Sequence, residues 1–251
     1  MSELKERRIW LMNYREFQEA IEDTDLAVLP LGVCEAHGPH LPLGTDFLIP
    51  EWLSLKVAER VNALVAPPLY YGVAIGLSGY LGTITIGEST LESLVYEILS
   101  ELAGNGFGKV ILMNGHGGSG QVSGLSKAMR RAWLDLRLKV AMVMWWDLAR
   151  ELTEEVFGGS GGHAGVDETA MVLAINKLLV KGNMEEEEIY RLRSGIQAVP
   201  LPGPILAYDD KFVKAIPGDE KVADFVERLV ERISSEVMRV LEGWDRQEIS
   251  I

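Results

Sequence analysis

The chain has four histidines, His37, His40, His116 and His163, and each lies in a Gly-rich or Gly/Pro-flanked motif. None sits on an apolar helical face, where a core histidine held by one hydrogen bond would be expected. The first motif, GVCEAHGPHLPLGTD, spans residues 32–46. Its Glu35 and His37 are two apart, so an extended backbone turns both to one side. Asp46 returns after a turn containing Pro39, Pro42 and Gly44. A carboxylate, an imidazole and a second carboxylate converging at a strand end suit Zn²⁺, Mn²⁺ or Fe²⁺. The competing interpretation is a polar turn with solvated charges. The second motif, NGHGGSG at residues 114–120, follows an apolar run directly. His116 is therefore expected at the same sheet edge as Glu35 and His37, and two independent motifs then supply ligands to one place.

Gly115 to Gly120 also reads as G-x-G-x-x-G, the dinucleotide fingerprint. The acid that should bind ribose ends the following strand in that motif. Asp135 lies before the next apolar run, Asp147 stands after it, and the Glu35/His37/Asp46 set is left without a role. The metal reading is preferred to NAD binding. A third motif, GGHAGVDET at residues 161–169, precedes an apolar stretch from Ala170 to Val180. His163, in a Gly-rich loop, is a candidate general acid/base because its ordinary pKa lies near neutrality. Asp167 and Glu168 stand at a helix start, where negative charge is favoured, and for Asp167 that role suffices. Cys34 reads as packing at a strand end.

These motifs need a scaffold that brings them to one edge. The runs Leu26–Val33, Leu64–Pro67, Val110–Met113 and Val140–Trp145 are short, continuous and rich in Val, Ile or Leu. That is the pattern of strands buried on both faces in a parallel sheet. Ser89-Thr-Leu-Glu92 reads as a capping box before a helix stopping near Gly104. Gln121–Leu136 and Val222–Leu241 also read as helices. Alternating strands and helices predict an α/β fold, a three-layer sandwich with a central, mainly parallel sheet, in one domain over residues 1–251. Tyr71–Gly87 and Leu201–Gly218 read as long loops, functional or mobile. The acidic run Glu185–Glu188 reads as a solvated helix start.

Hydrophobic residues make up 47 % of the 251, enough for a large core and against disorder. With 24 Lys+Arg against 37 Asp+Glu the formal charge is −13, which disfavours nucleic acid and anionic membrane surfaces as partners. One cysteine excludes an intrachain disulfide, the N-terminus MSELKERRIW is charged, and no apolar run approaches the roughly 18 residues of a membrane helix. The cytoplasm is the expected address.

The three motifs, in this order and spacing from about Leu29 to Ala170, resemble the creatininase (creatinine amidohydrolase) family, with a weaker echo at Pro217-Gly-Asp219. The resemblance implies a layered α/β fold, a homo-oligomer that is often a hexamer, and two divalent metals per subunit. Glu35 and His116 would bind one metal, His37 the other, and Asp46 would bridge them. It also implies that His163 is the catalytic histidine and that Trp146 covers the substrate. Ser119 is expected as a further substrate contact. The chain departs from the family pattern at Gly118, where a glutamate ligand is expected, and in Ala74–Thr83, which lacks a histidine before Gly82-Thr83. Both differences point away from creatinine itself. Glu168 is predicted to replace the missing ligand. The expected activity is hydrolysis of a C–N bond in a small cyclic amide or formamide by a metal-activated water. The alternatives are a cyclic sugar-derived ketone or a peptide as substrate, or a nucleotide-binding module without catalysis.

Overall fold

The computed structural model describes residues 6–193 and 195–247; residues 1–5 of the charged N-terminal stretch lie outside them. Helix α1 (Tyr14–Asp23) leads into β1 (Leu26–Leu31), α2 (Thr45–Val61), β2 (Leu64–Val65), α3 (Glu88–Gly104), β3 (Lys109–Asn114), α4 (Ser119–Leu136), β4 (Lys139–Met144) and α5 (Trp145–Phe157). The four strands form one parallel sheet in the order β2-β1-β3-β4. Leu26–Leu31 pair residue for residue with Lys109–Asn114, and those with Lys139–Met144. The three longer strands therefore end level, and the segments that leave them emerge at one edge.

Alternation along the strands feeds two cores. Val28, Ile111 and Met113 pack with Leu53 of α2 and Trp145 of α5, together with Phe225 and Ile233 of α7 (Asp219–Arg246). Leu29, Leu31, Val110 and Leu112 pack on the other face with Leu91 and Val95 of α3 and Leu125 of α4. Burial on both faces is why these strands read as unbroken apolar runs. Among the described residues no helix is long and apolar enough to cross a membrane.

Three expectations are corrected. The supposed loop Leu201–Gly218 contains β7 (Ile205–Ala207), the centre of a second sheet in the order β5-β7-β6, with β5 (Gly162–His163) antiparallel and β6 (Ile189–Arg191) parallel to it. Strands of two or three residues are too short to show a period. The capping box at Ser89 does not form: Gly87 is the N-cap, and Glu88 starts α3 and accepts from Ser123 Oγ and Lys127 Nζ of α4, both at 2.7 Å. The acidic run makes only a 3₁₀ turn, Glu186–Glu188, before β6. Helix α6 (Val166–Ile175) begins where the third motif places it.

The first turn of α2 is wedged against the ends of β1 and β3. A Cβ at Gly32 or at Gly115 would overlap the main-chain carbonyl oxygen of Asp46. Two glycines at adjacent strand ends thus create the space that brings Asp46 over the sheet edge. Gly32→Ala and Gly115→Ala should each cost about 1–3 kcal/mol or more, the usual range for forced overpacking. Urea unfolding of the metal-free protein measures this, and an unchanged midpoint would show that α2 can shift to accommodate the methyl.

Candidate metal centre

The first motif leaves β1 and turns back at Gly38, whose φ of +64° lies in the left-handed region that favours glycine. Its Cys34–Ala36 stretch is held against Gly82–Ile84: Ile84 N–H donates to the Cys34 carbonyl at 2.9 Å, and Ala36 N–H to Thr83 Oγ1 at 3.1 Å. Asp46 comes from the first turn of α2, His116 from just beyond β3, His163 from β5 and Glu168 from the first turn of α6. Six side chains from five places in the chain meet here. Glu35 is 1 % exposed, His37 0 %, Asp46 2 %, and His116 and Glu168 9 % each.

Asp46 stands between two imidazoles. Its Oδ1 lies 3.0 Å from His37 Nε2 and its Oδ2 lies 2.8 Å from His116 Nδ1. His116 Nδ1 is also 3.1 Å from Glu35 Oε1, and Glu168 Oε2 is 3.7 Å from His37 Nε2. Despite this proximity, Glu35 Oε1 and Asp46 Oδ2 are buried without an acceptably aligned hydrogen bond. His37 donates Nδ1–H to the Glu35 carbonyl at 3.0 Å, so Nε2 is the nitrogen turned to the carboxylates and the one that would face a metal. Metal-bound histidines typically have this backing hydrogen bond. Oxygen and imidazole donors fall into overlapping trios, Glu35/Asp46/His116 and His37/Asp46/Glu168, each with its donor atoms within 4.8 Å of one another. The donor set and its unpaired oxygens fit divalent cations. Glu35, His37 and His163 form a third such trio.

Electrostatics give the same picture. Burial raises the Glu35 carboxyl and holds Glu168 well above its usual range. Burial also opposes charge on Asp46, but His37 and His116 outweigh it and hold that carboxyl well below its ordinary value. Burial opposes a proton on His37, yet Asp46, Glu168 and Glu35 together push it up to about 10. His116 is likewise raised by Glu35 and Asp46 against burial. Without a metal, protons on the two imidazoles balance the ionised Asp46, while burial favours the protonated forms of Glu35 and Glu168. His163 differs: burial and then the charge on His37 push it down to about 3. Its Nε2–H donates to the Ala36 carbonyl at 2.8 Å, so Nδ1, 3.5 Å from Glu35 Oε1, carries the free lone pair.

Around this centre, the Trp146 indole lies against Gly117, where a Cβ would come 3.3 Å from the ring. Ser119 is exposed at the first position of α4. Asp167 keeps its helix-start role: its Oδ1 accepts from Gly162 N–H at 3.2 Å, and burial pushes its carboxyl up to about 6. A side chain at Gly118 would overlap His116 Nε2, so the imidazole would have to shift before a ligand could stand there. Cys34 is half-buried, and burial and then Glu35 raise its thiol, in keeping with packing. Sequence reading missed Tyr208, which follows β7 opposite the His163 strand. Burial and then Glu168, Glu35 and Asp46 push its phenol up to about 12; with the residue 57 % exposed, the negative cluster is the firmer cause. Only the pairing of β5 with β7 reveals it.

Comparison with known proteins agrees with this geometry. Residues 10–233 match the family model described as Creatininase: Creatinine amidohydrolase. The chain is 32 % identical over 190 residues to a creatinine amidohydrolase of Pseudomonas putida, covering 67 % of this chain and 72 % of that protein. It is 31 % identical over 226 residues to a mycofactocin precursor peptide peptidase of Mycobacterium ulcerans, covering 82 % and 84 %. A manganese creatininase structure superposes with a TM-score of 0.75 at 26 % identity, covering 94 % of this chain and 98 % of that one. With its three motifs gathered at one sheet edge and a family match over most of its length, this chain belongs to the creatininase family of hydrolases.

Proposed function

We propose that this enzyme hydrolyses a C–N bond of a small cyclic amide or formamide, using two divalent ions per subunit. The observation that carries the reading is the pair of overlapping donor trios that share Asp46. Glu35 and His116 would hold one ion, His37 and Glu168 the other, and Asp46 would bridge. Zn²⁺, Mn²⁺ or Fe²⁺ suits such mixed carboxylate and imidazole donors. Ions of this kind, when bound, acidify a coordinated water and polarise a carbonyl oxygen.

The residues of the chain do the rest. His163 accepts at Nδ1 the proton of the water that adds to the amide carbonyl and returns it to the nitrogen as the C–N bond breaks. Its Nε2–H bond to the Ala36 carbonyl fixes the tautomer this requires. Trp146 forms a wall beside Gly117, and Ser119 contacts substrate from the start of α4. A peptide amide is the second reading, favoured by the peptidase relative matched over 82 % of this chain. The same reading includes a homo-oligomer, such as a hexamer, in the cytoplasm.

A panel of cyclic amides, formamides and short peptides, assayed in the ultraviolet with and without added Mn²⁺ or Zn²⁺, tests the activity. Metal-dependent cleavage of a cyclic amide or formamide is expected, and fully metallated protein inert on the whole panel would remove the proposal. Elemental analysis tests the donors: Asp46→Ala should lose both ions, His37→Ala mainly one, and full occupancy in Asp46→Ala would exclude a shared bridge. His163→Ala should keep its ions while turnover falls about 10²–10⁴-fold, the usual contribution of a positioned acid/base. Ion loss in that variant would move His163 into the donor set, as its trio with Glu35 and His37 allows.

Acid should also destabilise the metal-free protein through His163. Its folded pKa of about 3 lies below its ordinary 6.5, so the unfolded chain takes up this proton first. The stabilisation is complete above the ordinary value and is lost as pH falls toward the folded one. His163→Gln should flatten the stability profile near pH 5 by roughly 1.4 kcal/mol per pH unit, the effect of one proton. Equal slopes for both proteins in urea unfolding would count against a neutral buried His163.

A further inference from the structure

His40 is 1 % exposed and takes no part in the donor cluster. Its Nε2 lies 3.2 Å from Thr169 Oγ1. The Thr169 hydroxyl hydrogen is already committed to the Gly165 carbonyl at 2.7 Å, so Oγ1 accepts and His40 Nε2–H donates. The His40 carbonyl in turn accepts from Lys181 N–H at 2.9 Å, beyond the far end of α6. The first motif thus holds the first turn of α6 through Thr169 and the segment that follows the helix through Lys181.

Glu168 is the residue immediately before Thr169. Its Oε2 accepts from Ala164 N–H at 2.7 Å, and Ala164 adopts a left-handed φ of +57°. One hydrogen bond therefore orients the carboxylate and a second, one residue on, fixes the turn that carries it. Burial and then His37 push His40 down to about 4, so the ring is neutral and the Nε2–H donation fixes its tautomer.

We propose that His40, acting through the Thr169 hydroxyl, is the positioning residue that aims Glu168 at the second divalent ion. This rests on the assignment of Glu168 as a ligand made above. It gives the second histidine of the HGPH segment a role distinct from that of His37. It also explains how a carboxylate on a separate helix serves a site that has a glycine, Gly118, beside His116.

Chelator-stripped full-length protein titrated calorimetrically with Mn²⁺ alone, with bound ions counted, tests this without any substrate. The wild type should bind two ions and Glu168→Gln one. Thr169→Val, which keeps the side-chain shape and removes the acceptor, should leave the first ion unchanged and weaken the second about 10–100-fold, the usual cost of losing a ligand's support. His40→Ala should match it if it folds, and Thr169→Ser should restore wild-type binding. Second-ion affinity in Thr169→Val within about twofold of wild type, with Glu168→Gln defective, would overturn the proposal alone. Equal weakening of both ions would reduce the His40–Thr169 contact to general packing and likewise overturn it. Two tightly held ions in Glu168→Gln would remove the ligand assignment itself, and the positioning role with it.

Discussion

Three carboxylates, Glu35, Asp46 and Glu168, are buried together, and the fold is tolerable only if positive charge is buried with them. Isolated ionised groups out of water are expensive, and like charges at close range raise one another's pKa. In the metal-free protein the compensation comes from protons on His37 and His116, both raised well above their usual range, and from the raised carboxyls of Glu35 and Glu168. Divalent cations would supply the same charge without protonating the imidazoles, leaving their lone pairs free to act as ligands. The unpaired oxygens of Glu35 and Asp46 mark where that exchange takes place.

The scaffold serves this constraint by ending three parallel strands level. β1 and β3 in register deliver the first and second motifs to one edge, and glycines at both strand ends let α2 press Asp46 between them. The second sheet adds the opposite wall: β5 carries His163, and β7 beside it brings Tyr208 toward the same carboxylates. His163 is set apart by its environment. It has a backbone carbonyl for one nitrogen and charged His37 beside it, with ring centroids 4.2 Å apart, so it stays unprotonated where its neighbours do not. Proton-free and proton-rich imidazoles thus stand side by side, set apart by electrostatics.

Gly118 offers no carboxylate beside His116, and a carboxylate on α6 stands close by. His116 occupies the space a side chain at Gly118 would need, while Glu168 approaches His37 from the opposite element. A carboxylate offered from a helix N-terminus is favoured there by the dipole, and its loop and first turn are held by hydrogen bonds from Ala164 and His40.

The sequence by itself determined the local parts. Continuous apolar runs located β1 to β4 because both faces of that sheet are buried, and Glu35, His37, Asp46, His116 and His163 stood out because imidazoles and carboxylates in Gly-rich strand ends have no core role to play. Tertiary structure alone decided the rest. The β5-β7-β6 sheet was hidden because its strands are two or three residues long, and the start of α3 was set by Glu88 reaching α4. Tyr208 and the link from His40 to Thr169 were also out of reach. Each of these depends on a contact between segments many residues apart, and periodicity records which face of an element is buried without recording what it is buried against.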